Sequence, residues 1–444
     1  MTAGRRAPAA RQVAEIVLTL LVVAGFAHTI YRFHQDGWMP LPYVADVNDT
    51  FMDWFNTAYW AHHPGTYDVW GSVYPPLSFI FLRLFGIASC YTRDPFYARH
   101  CDTFGIGAIL GWYVLAIVVA YRAFRVADRS TSTVRGVTFA LSMPMLFLLE
   151  RGNLIIPCMT CFIIAHGGVT RVGWVRALAA GLTINFKPYL VLPTLAWAIK
   201  REWRLLELAA VATLAVFCLT YALLGDGSPG QLLQNTIYFA QFTSQYVWEQ
   251  IYYSSSYGAF VEFNSSRFPT RDFVPSTLFE PFVAAIPVVI HASEAMLALC
   301  LAGAWLQPAA LTTRRISLLV LTGWLVTTSP GGYTMTFVVF LLFLEKWERP
   351  GPIAALIAGY LLCIAYDQSV GNFFTVSADS WLSGRPVLAS FGISAGMFVR
   401  PGLILIVFWG LALDSFALVV RAHAGTRPAL ALLPRLGAVR REPA

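Results

Sequence analysis

Charged residues are scarce in this chain of 444 residues, and lysine is almost missing from it. Only 12% of the residues are charged, against roughly 25% in soluble domains. Lysine occurs at positions 187, 200 and 346 alone. Hydrophobic residues make up 57% of the chain and the mean hydropathy is +0.60. These values exclude an ordinary soluble enzyme and indicate an integral membrane protein.

Other features are also lacking, and each narrows the class of membrane protein. The hydrophobic runs are continuous and do not show the alternating segments of about ten residues that an outer-membrane barrel has, so they predict an α-helical bundle. We find no internal repeat, although secondary transporters commonly contain one. The first run, Ile16 to Ile30, has no clear small-residue cleavage site, and we interpret it as a retained helix.

Cysteine is rare and carries little chemistry. Cys158 and Cys161 have CxxC spacing, but they fall in a hydrophobic run without nearby ligand partners, where cysteine ordinarily serves as a small apolar filler. Cys90 and Cys101 both fall in the first loop between hydrophobic runs. An oxidising compartment would permit a disulfide between them, but the sequence does not decide whether it forms.

The formal net charge of +7 comes mostly from arginine, and its distribution predicts the topology. The basic clusters are short and adjoin hydrophobic runs, so a nucleic-acid partner is not expected. Because cytoplasmic loops carry an excess of positive charge, we place every cluster and both termini in the cytoplasm. The clusters are Arg5 to Arg11, Arg122 to Arg135, Arg171 to Arg176, Lys200 to Arg204, Arg314 and Arg315, Lys346 to Arg349, and Arg421 to Arg441.

The hydrophobic pattern predicts an all-α polytopic membrane protein with about twelve transmembrane segments. We expect a catalytic membrane module over residues 1–225, a second transmembrane module over 226–424 and a cytoplasmic basic tail over 425–444. Residues 75–88 are predicted to form an amphipathic helix along the outer interface. The predicted segments are 14–33, 104–124, 136–149, 154–166, 177–184, 189–199, 205–224, 281–306, 316–328, 333–344, 352–367 and 400–420.

Two of the predicted hairpins are too short to cross the bilayer twice. One turns at Glu150 to Asn153 and the other at Asn185 to Pro188, and each arm is well under the roughly 20 residues of a full crossing. Their polar tips would lie part-way across the membrane, where such groups are tolerated only beside a water-filled cavity or inside the protein. Arg151, Asn153, Asn185 and Lys187 are therefore candidate substrate-binding residues.

Lys187 is the most informative of these residues, because the other two lysines belong to cytoplasmic clusters. An ammonium group at this depth needs an anion, and phosphate is the obvious one in a membrane. Arg151, at the neighbouring tip, would complete a phosphate clamp. The alternative is a structural role, with either cation paired to Glu150 or extended to the surface.

Three loops are predicted on the outer side, over residues 34–103, 226–280 and 368–399. The first carries Asp46, Asp49 and Asp53. Aromatic side chains are frequent in the second, and they fit either an interfacial belt or a sugar-binding surface. Those aromatic residues are Tyr238, Phe242, Tyr246, Trp248, Tyr252, Tyr253 and Tyr257.

The order of these motifs resembles that of a known family. The acidic loop is followed by Tyr74-Pro75-Pro76, then by Arg151-Gly152-Asn153 and by Lys187-Pro188. Over roughly residues 14 to 225, the chain is similar to the membrane glycosyltransferases of the GT-C type. Within that type it resembles the family 87 group, which includes bacterial polyprenyl-phosphate-mannose-dependent mannosyltransferases.

The resemblance implies a catalytic aspartate in the first outer loop and a sugar donor carried on polyprenyl phosphate. Family members tend to have a tyrosine four residues after the aspartate, whereas here Asp49 is followed at that distance by Asp53. We favour Asp49 as the general base, with Asp53 second and Asp46 third. His62 and Tyr74 join the candidate substrate-binding residues.

The expected reaction is an inverting glycosyl transfer. A hydroxyl group has a pKa far above 7, so its attack on the anomeric carbon needs a base within hydrogen-bond reach. Arg151 and Lys187 would stabilise the charge that develops on the leaving phosphate. Direct displacement is the simpler scheme, because no candidate nucleophile is paired with a second carboxylate. No metal or other cofactor is required, although the three aspartates could hold a divalent cation.

The expected setting is the inner membrane of a bacterium, with the active site on the extracytoplasmic side. The arginine- and alanine-rich composition indicates a bacterium with a GC-rich genome, and for such a source we favour transfer of mannose or arabinose to a cell-envelope glycolipid or glycan. Two alternatives remain open. One is a transporter or flippase of a lipid-linked sugar, and the other is a polymer ligase that uses a diphosphate-linked glycan.

Overall fold

The computed structural model describes residues 6–43, 47–242, 255–258, 275–328 and 331–426. Within these ranges the chain is mostly helical and contains one two-stranded sheet. Asp46, most of the predicted basic tail and much of the aromatic loop 226–280 lie outside the described residues.

The helices of the described ranges differ widely in length. Short 3-10 turns over Ala88–Tyr91, Pro188–Thr194 and Gly332–Thr334 connect some of them. In chain order the helices are α1 (Arg6–Asp36), α2 (Met52–Ala61), α3 (Pro76–Leu84), α4 (Pro95–Cys101), α5 (Thr103–Ala127), α6 (Ser132–Ala140), α7 (Met143–Arg151), α8 (Ile155–His166), α9 (Gly173–Phe186), α10 (Leu195–Ile199), α11 (Trp203–Leu224), α12 (Pro229–Phe242), α13 (Ser276–Leu306), α14 (Thr313–Thr327), α15 (Met335–Leu342), α16 (Pro350–Leu362) and α17 (Gly396–Thr426).

Five of these helices, α1, α5, α11, α13 and α17, are long and apolar enough to cross a membrane. The shortest has 22 residues and is therefore about 33 Å long, slightly more than the roughly 30 Å hydrocarbon core. Helices α6 and α7 would make a sixth span if they count as one, although they are bent by 41° at their junction. The described residues thus contain five or six candidate spans, and the expected number of twelve is not confirmed.

Several predicted segments are short helices that contribute buried residues to the core of the bundle. The arm 154–166 is α8, and the arm 189–199 is a 3-10 turn continued by α10. The predicted segments 333–344 and 352–367 are α15 and α16, which have only 8 and 13 residues. Every residue of α15 is buried, as expected for a helix that is apolar on all sides. Apolar composition alone does not distinguish such a core helix from a membrane span.

The expectation of an all-α chain needs one correction, in the predicted loop 368–399. Strands β1 (Ser369–Ser380) and β2 (Arg385–Ser394) pair there as an antiparallel hairpin. Val387 and Ala389 are buried against Trp38, whereas Leu388 between them is 69% exposed. This alternation is the two-residue period of a strand with one covered face, and it was present in the sequence.

The first outer loop is largely folded. Helices α2, α3 and α4 lie within residues 34–103, and a disulfide joins Cys90 to Cys101, which the sequence had left open. Their Cα atoms are 5.5 Å apart, within the usual range for a disulfide. Helix α3 confirms a helix within 75–88, and its buried Phe79 and Leu82 belong to the main hydrophobic core. The aspartates of this loop are therefore carried on an ordered support.

Buried ion pairs connect distant parts of the bundle. Arg135 donates to both oxygens of Glu15, at 2.7 and 2.8 Å, and Tyr360 donates to the same carboxylate. Arg315 pairs with Glu345, at 2.5 Å. Arg135 and Arg315 are 1% and 5% exposed. These two arginines thus have internal partners, and their presence in basic clusters is explained at least in part by packing.

Candidate functional site

The tip of the first short hairpin docks on the acidic segment of the outer loop. The backbone N–H of Phe51 donates to the carbonyl of Glu150 at 2.7 Å. The Thr50 hydroxyl donates to the Glu150 carboxylate at 3.0 Å. Two segments about 100 residues apart in sequence are therefore held side by side, at the point where both carry charged groups.

Gly152 makes this close approach possible. Its φ is +61°, in the left-handed region that glycine adopts without steric cost. A Cβ atom at this position would lie 3.1 Å from the Cα of Phe51 and 3.2 Å from the Cβ of Trp54. The glycine of the Arg-Gly-Asn motif is thus required by both backbone conformation and space.

Arg151 forms salt bridges with both candidate catalytic aspartates. One guanidinium nitrogen donates to Asp49, and the other donates to Asp53 at 2.7 Å. The second oxygen of Asp53 accepts a hydrogen bond from the Asn153 amide, also at 2.7 Å. Asn153 Oδ1 in turn accepts from the backbone N–H of Ile155 at 2.9 Å, which fixes its orientation at the start of α8.

These contacts keep Asp53 ionised. Burial disfavours the charged carboxylate, but the positive charge of Arg151 and the hydrogen bonds from Arg151 and Asn153 outweigh it, and the charge of Lys187 adds to the effect. The pKa of Asp53 is therefore lower than that of an ordinary aspartate. A carboxylate held in this way is well positioned, but it is a weaker proton acceptor.

Lys187 approaches the same cluster from the second short hairpin. It follows directly after α9, where Pro188 ends the helix, and its Nζ lies 4.4 Å from the centre of the Tyr74 ring. Among the described residues, no carboxylate lies within salt-bridge distance of its ammonium group. Tyr333 is within electrostatic reach of Lys187, Asp53 and Arg151. The site thus combines two cations and two carboxylates with aromatic rings.

Asn185 and His62, two other predicted site residues, do not belong to this cluster. The Asn185 amide donates to the carbonyls of Gly181 and Thr213, and so joins α9 to α11. His62 lies nine residues after Asp53, about 13 Å along the helix, and its ring stacks on Tyr91 at 4.5 Å. Burial and the nearby Arg83 lower the pKa of His62. Asp46, a further predicted site residue, lies outside the described residues.

Arg99 is a site-forming residue that the sequence analysis missed. Its guanidinium donates to the carbonyls of Asn48 and Thr50, each at 2.7 Å, and its side chain is buried. It thereby supports the loop on both sides of Asp49. The only signal in the sequence was an arginine in a predicted outer loop, against the general preference for cytoplasmic positive charge.

The β-hairpin packs against the loop that carries Asp49, next to Arg99. The Trp381 ring lies 4.8 Å from the Arg99 guanidinium carbon and 5.4 Å from the Phe51 ring. Phe51 has a φ of +64°, an uncommon value for a bulky residue. Such a conformation persists only where the surroundings enforce it, and it turns the chain between Asp49 and Asp53.

Comparisons of this chain with protein-family models, with curated protein sequences and with solved structures give no match. Within the described ranges, no group of three or more His, Cys, Asp or Glu side chains is placed to hold a metal ion.

Proposed function

We propose that this chain is a membrane glycosyltransferase that uses a polyprenyl-phosphate-linked sugar. The observation that carries the proposal is the convergence of Asp49, Asp53, Arg151 and Lys187, which come from the outer loop and from both short hairpins. A transfer from a phosphate-linked donor needs a base for the acceptor and a cation for the leaving group, and this site offers both.

Asp49 is the proposed general base. Both oxygens of Asp53 already accept hydrogen bonds, and the pKa of Asp53 is lowered. Asp53 therefore suits a role in orienting the acceptor and Arg151. Asp49 would take the proton of the acceptor hydroxyl while its oxygen attacks the anomeric carbon and the bond to the donor phosphate breaks with inversion.

Lys187 is the proposed ligand of the donor phosphate. Arg151 is already paired with two carboxylates, whereas the ammonium of Lys187 lies on the face of Tyr74. Lys187 is thus the cation more readily shared with a phosphate, and Arg151 would add its charge as the leaving group forms. The rings of Tyr74 and Tyr333 would face the apolar side of a sugar.

The expected setting follows from the same chemistry. A polyprenyl donor is confined to the membrane, so the acceptor would be a glycolipid or glycan of the cell envelope, with mannose or arabinose as the favoured sugar. The proposed active site lies on the extracytoplasmic side of a bacterial inner membrane, with both termini in the cytoplasm.

A transfer assay tests this proposal. The purified chain is given polyprenyl phosphates that carry radiolabelled mannose or arabinose, and extracted membrane lipids serve as acceptors. We expect labelled product from the native chain and a loss of about 10² to 10⁴ in turnover for Asp49→Asn. Asp68→Asn is the matched control, because Asp68 is an exposed aspartate of the same loop.

Two outcomes would oppose the proposal. If the native chain transfers sugar from neither donor while vesicles containing it move the labelled lipid between leaflets, the chain is a flippase. If Asp49→Asn and Asp53→Asn both keep normal turnover, the carboxylate-base mechanism is wrong.

A further inference from the structure

A second polar region lies at the far end of the helices that carry the candidate site. Helix α9 runs from Gly173 to Phe186, and its 14 residues place Lys187 about 20 Å from the start of the helix. Near that start is a cavity of about 820 Å³. Arg171, Arg176 and Arg314 line it, together with His166 at the end of α8.

Part of the positive charge around this cavity is already neutralised. Arg315 pairs with Glu345, and Arg349 pairs with Asp414 at 2.9 Å. Lys346 lies 3.4 Å from Glu348. These cations are accounted for by the protein's own carboxylates.

The other three arginines are different. Within the part of the chain that the structure describes, Arg171, Arg176 and Arg314 have no ion-pair partner. Arg314 is attracted by Glu345 and, more weakly, repelled by Arg176. Glu202, which also lines the cavity, accepts a hydrogen bond from Thr313 at 3.1 Å. An excess of positive charge therefore remains in a partly enclosed space, where an anion would relieve the repulsion.

His166 provides an independent indication of a ligand. Its side chain lines the cavity and is only 6% exposed, and its Nε2 atom is buried without a hydrogen-bond partner. The ring stacks on Trp197, with centroids 5.0 Å apart, so its orientation is fixed. Buried polar atoms in folded proteins are nearly always paired, and an unpaired one points to a missing partner.

Gly168 shapes the cavity wall. Its φ is +75°, and a Cβ atom there would collide with the guanidinium of Arg314. The glycine thus lets Arg314 lie flat against the backbone. Arg176 is held by the carbonyl of Ala165, to which its Nε donates at 3.2 Å, and by the face of Trp197. Two of the three arginines are therefore positioned before any ligand arrives.

We propose that this cavity binds a phosphate group through Arg171, Arg176 and Arg314, with His166 as an additional hydrogen-bonding group. Arginine pairs readily with phosphate oxygens in two-pronged contacts. The phosphate belongs either to an anionic lipid headgroup or to a soluble phosphate compound. This site is separate from the candidate glycosyl-transfer site and does not depend on that function.

The test uses the full-length purified chain and two probes. In the first assay, the thermal unfolding midpoint is measured with and without inorganic phosphate. In the second, the chain is taken from mixed micelles of phosphatidylglycerol and phosphatidylcholine, and native mass spectrometry counts the phosphatidylglycerol molecules that it retains. We expect the double variant Arg171→Gln/Arg314→Gln to lose about tenfold or more in affinity for the probe that binds. Neither side chain makes a hydrogen bond within the described residues, so the fold should persist.

The control is Arg421→Gln, because Arg421 is an exposed arginine on α17 that does not line the cavity. His166→Phe keeps the stacking on Trp197, and it should lower the affinity for the same probe by a few-fold. Stabilisation by phosphate alone indicates a soluble ligand, and selective retention of phosphatidylglycerol indicates a lipid. The proposal is overturned if neither probe binds, or if the double variant binds as tightly as Arg421→Gln.

Discussion

The ammonium of Lys187 lies 4.4 Å from the centre of the Tyr74 ring. This contact joins the second short hairpin to the segment that leads into α3. A cation on an aromatic face is stabilised without losing its charge, so Lys187 remains able to bind an anion.

Replacement of Lys187 tests its role at the donor phosphate. Lys187→Ala removes a charge-assisted contact and should weaken donor binding by roughly ten- to a hundredfold. Lys187→Arg should restore only part of the affinity, because a planar guanidinium does not fit the place of a compact ammonium. Binding is measured with a radiolabelled donor on purified protein. Lys346→Ala, which removes an exposed lysine outside the candidate site, is the control, and equal affinity in all variants would exclude a phosphate contact.

Gly152→Ala should destabilise the chain by roughly 1 to 3 kcal/mol. The substitution imposes the cost of a left-handed residue and brings a Cβ atom against Phe51 and Trp54. Gly107→Ala is the matched control, because a Cβ there meets no atom within 4 Å and the position is inside α5. Thermal unfolding in detergent should show a lower midpoint for Gly152→Ala alone. Similar midpoints would mean that the tip can move away from the outer loop.

The lowered pKa of Asp53 predicts a defined pH dependence of stability. A carboxylate with a depressed pKa in the folded state contributes stability above its unfolded pKa of about 3.9, and this contribution is lost as the pH falls through the lower folded pKa. The native chain should thus exceed Asp53→Asn in stability at neutral pH, and the difference should shrink below about pH 4. Parallel unfolding curves of the two proteins at pH 3 to 7 measure it. A constant difference would show that the ion pair with Arg151 is not its origin.

Exposed positions allow a test of the predicted topology. Asn153 and Asn185 are only 1% and 2% exposed, so cysteines there would be poor targets for a thiol reagent. Val69, at 71%, and Arg129 are exposed and belong to opposite predicted sides. In a background with the exposed Cys218 replaced by Ala, a membrane-impermeant reagent should label Val69→Cys from outside and Arg129→Cys only after lysis. The reverse pattern would invert the orientation.

The sequence predicted the long helices and indicated the motifs of the candidate site because both depend on local or compositional signals. Arg151, Asn153 and Lys187 stood out as polar groups at the tips of short hydrophobic arms. The pairing of Arg151 with both aspartates could not be predicted, because it depends on how two segments about 100 residues apart meet. The sequence suggested Glu150 as the internal partner of Arg151, but Glu150 instead accepts from Thr50.

Other features were missed for different physical reasons. Asn185 occupies a hairpin tip in the sequence, but its amide is used in packing α9 against α11. Arg99 supports the aspartate loop from a helix whose role depends on the tertiary fold. The expected count of twelve spans is not confirmed, because predicted segments such as α15 and α16 are apolar helices of only 8 and 13 residues. Hydropathy measures how strongly a segment avoids water. It does not distinguish a helix that contacts lipid from a helix that is buried in the protein.

The contact of Trp381 with Arg99 and Phe51 has a practical consequence for protein engineering. The hairpin belongs to the second half of the chain, whereas the aspartate loop belongs to the first. A chimera that joins the first half of this chain, up to about residue 225, to the second half of another protein would place that protein's hairpin over this loop. Designs that exchange the loop 34–103 should therefore move residues 369–394 together with it as one unit.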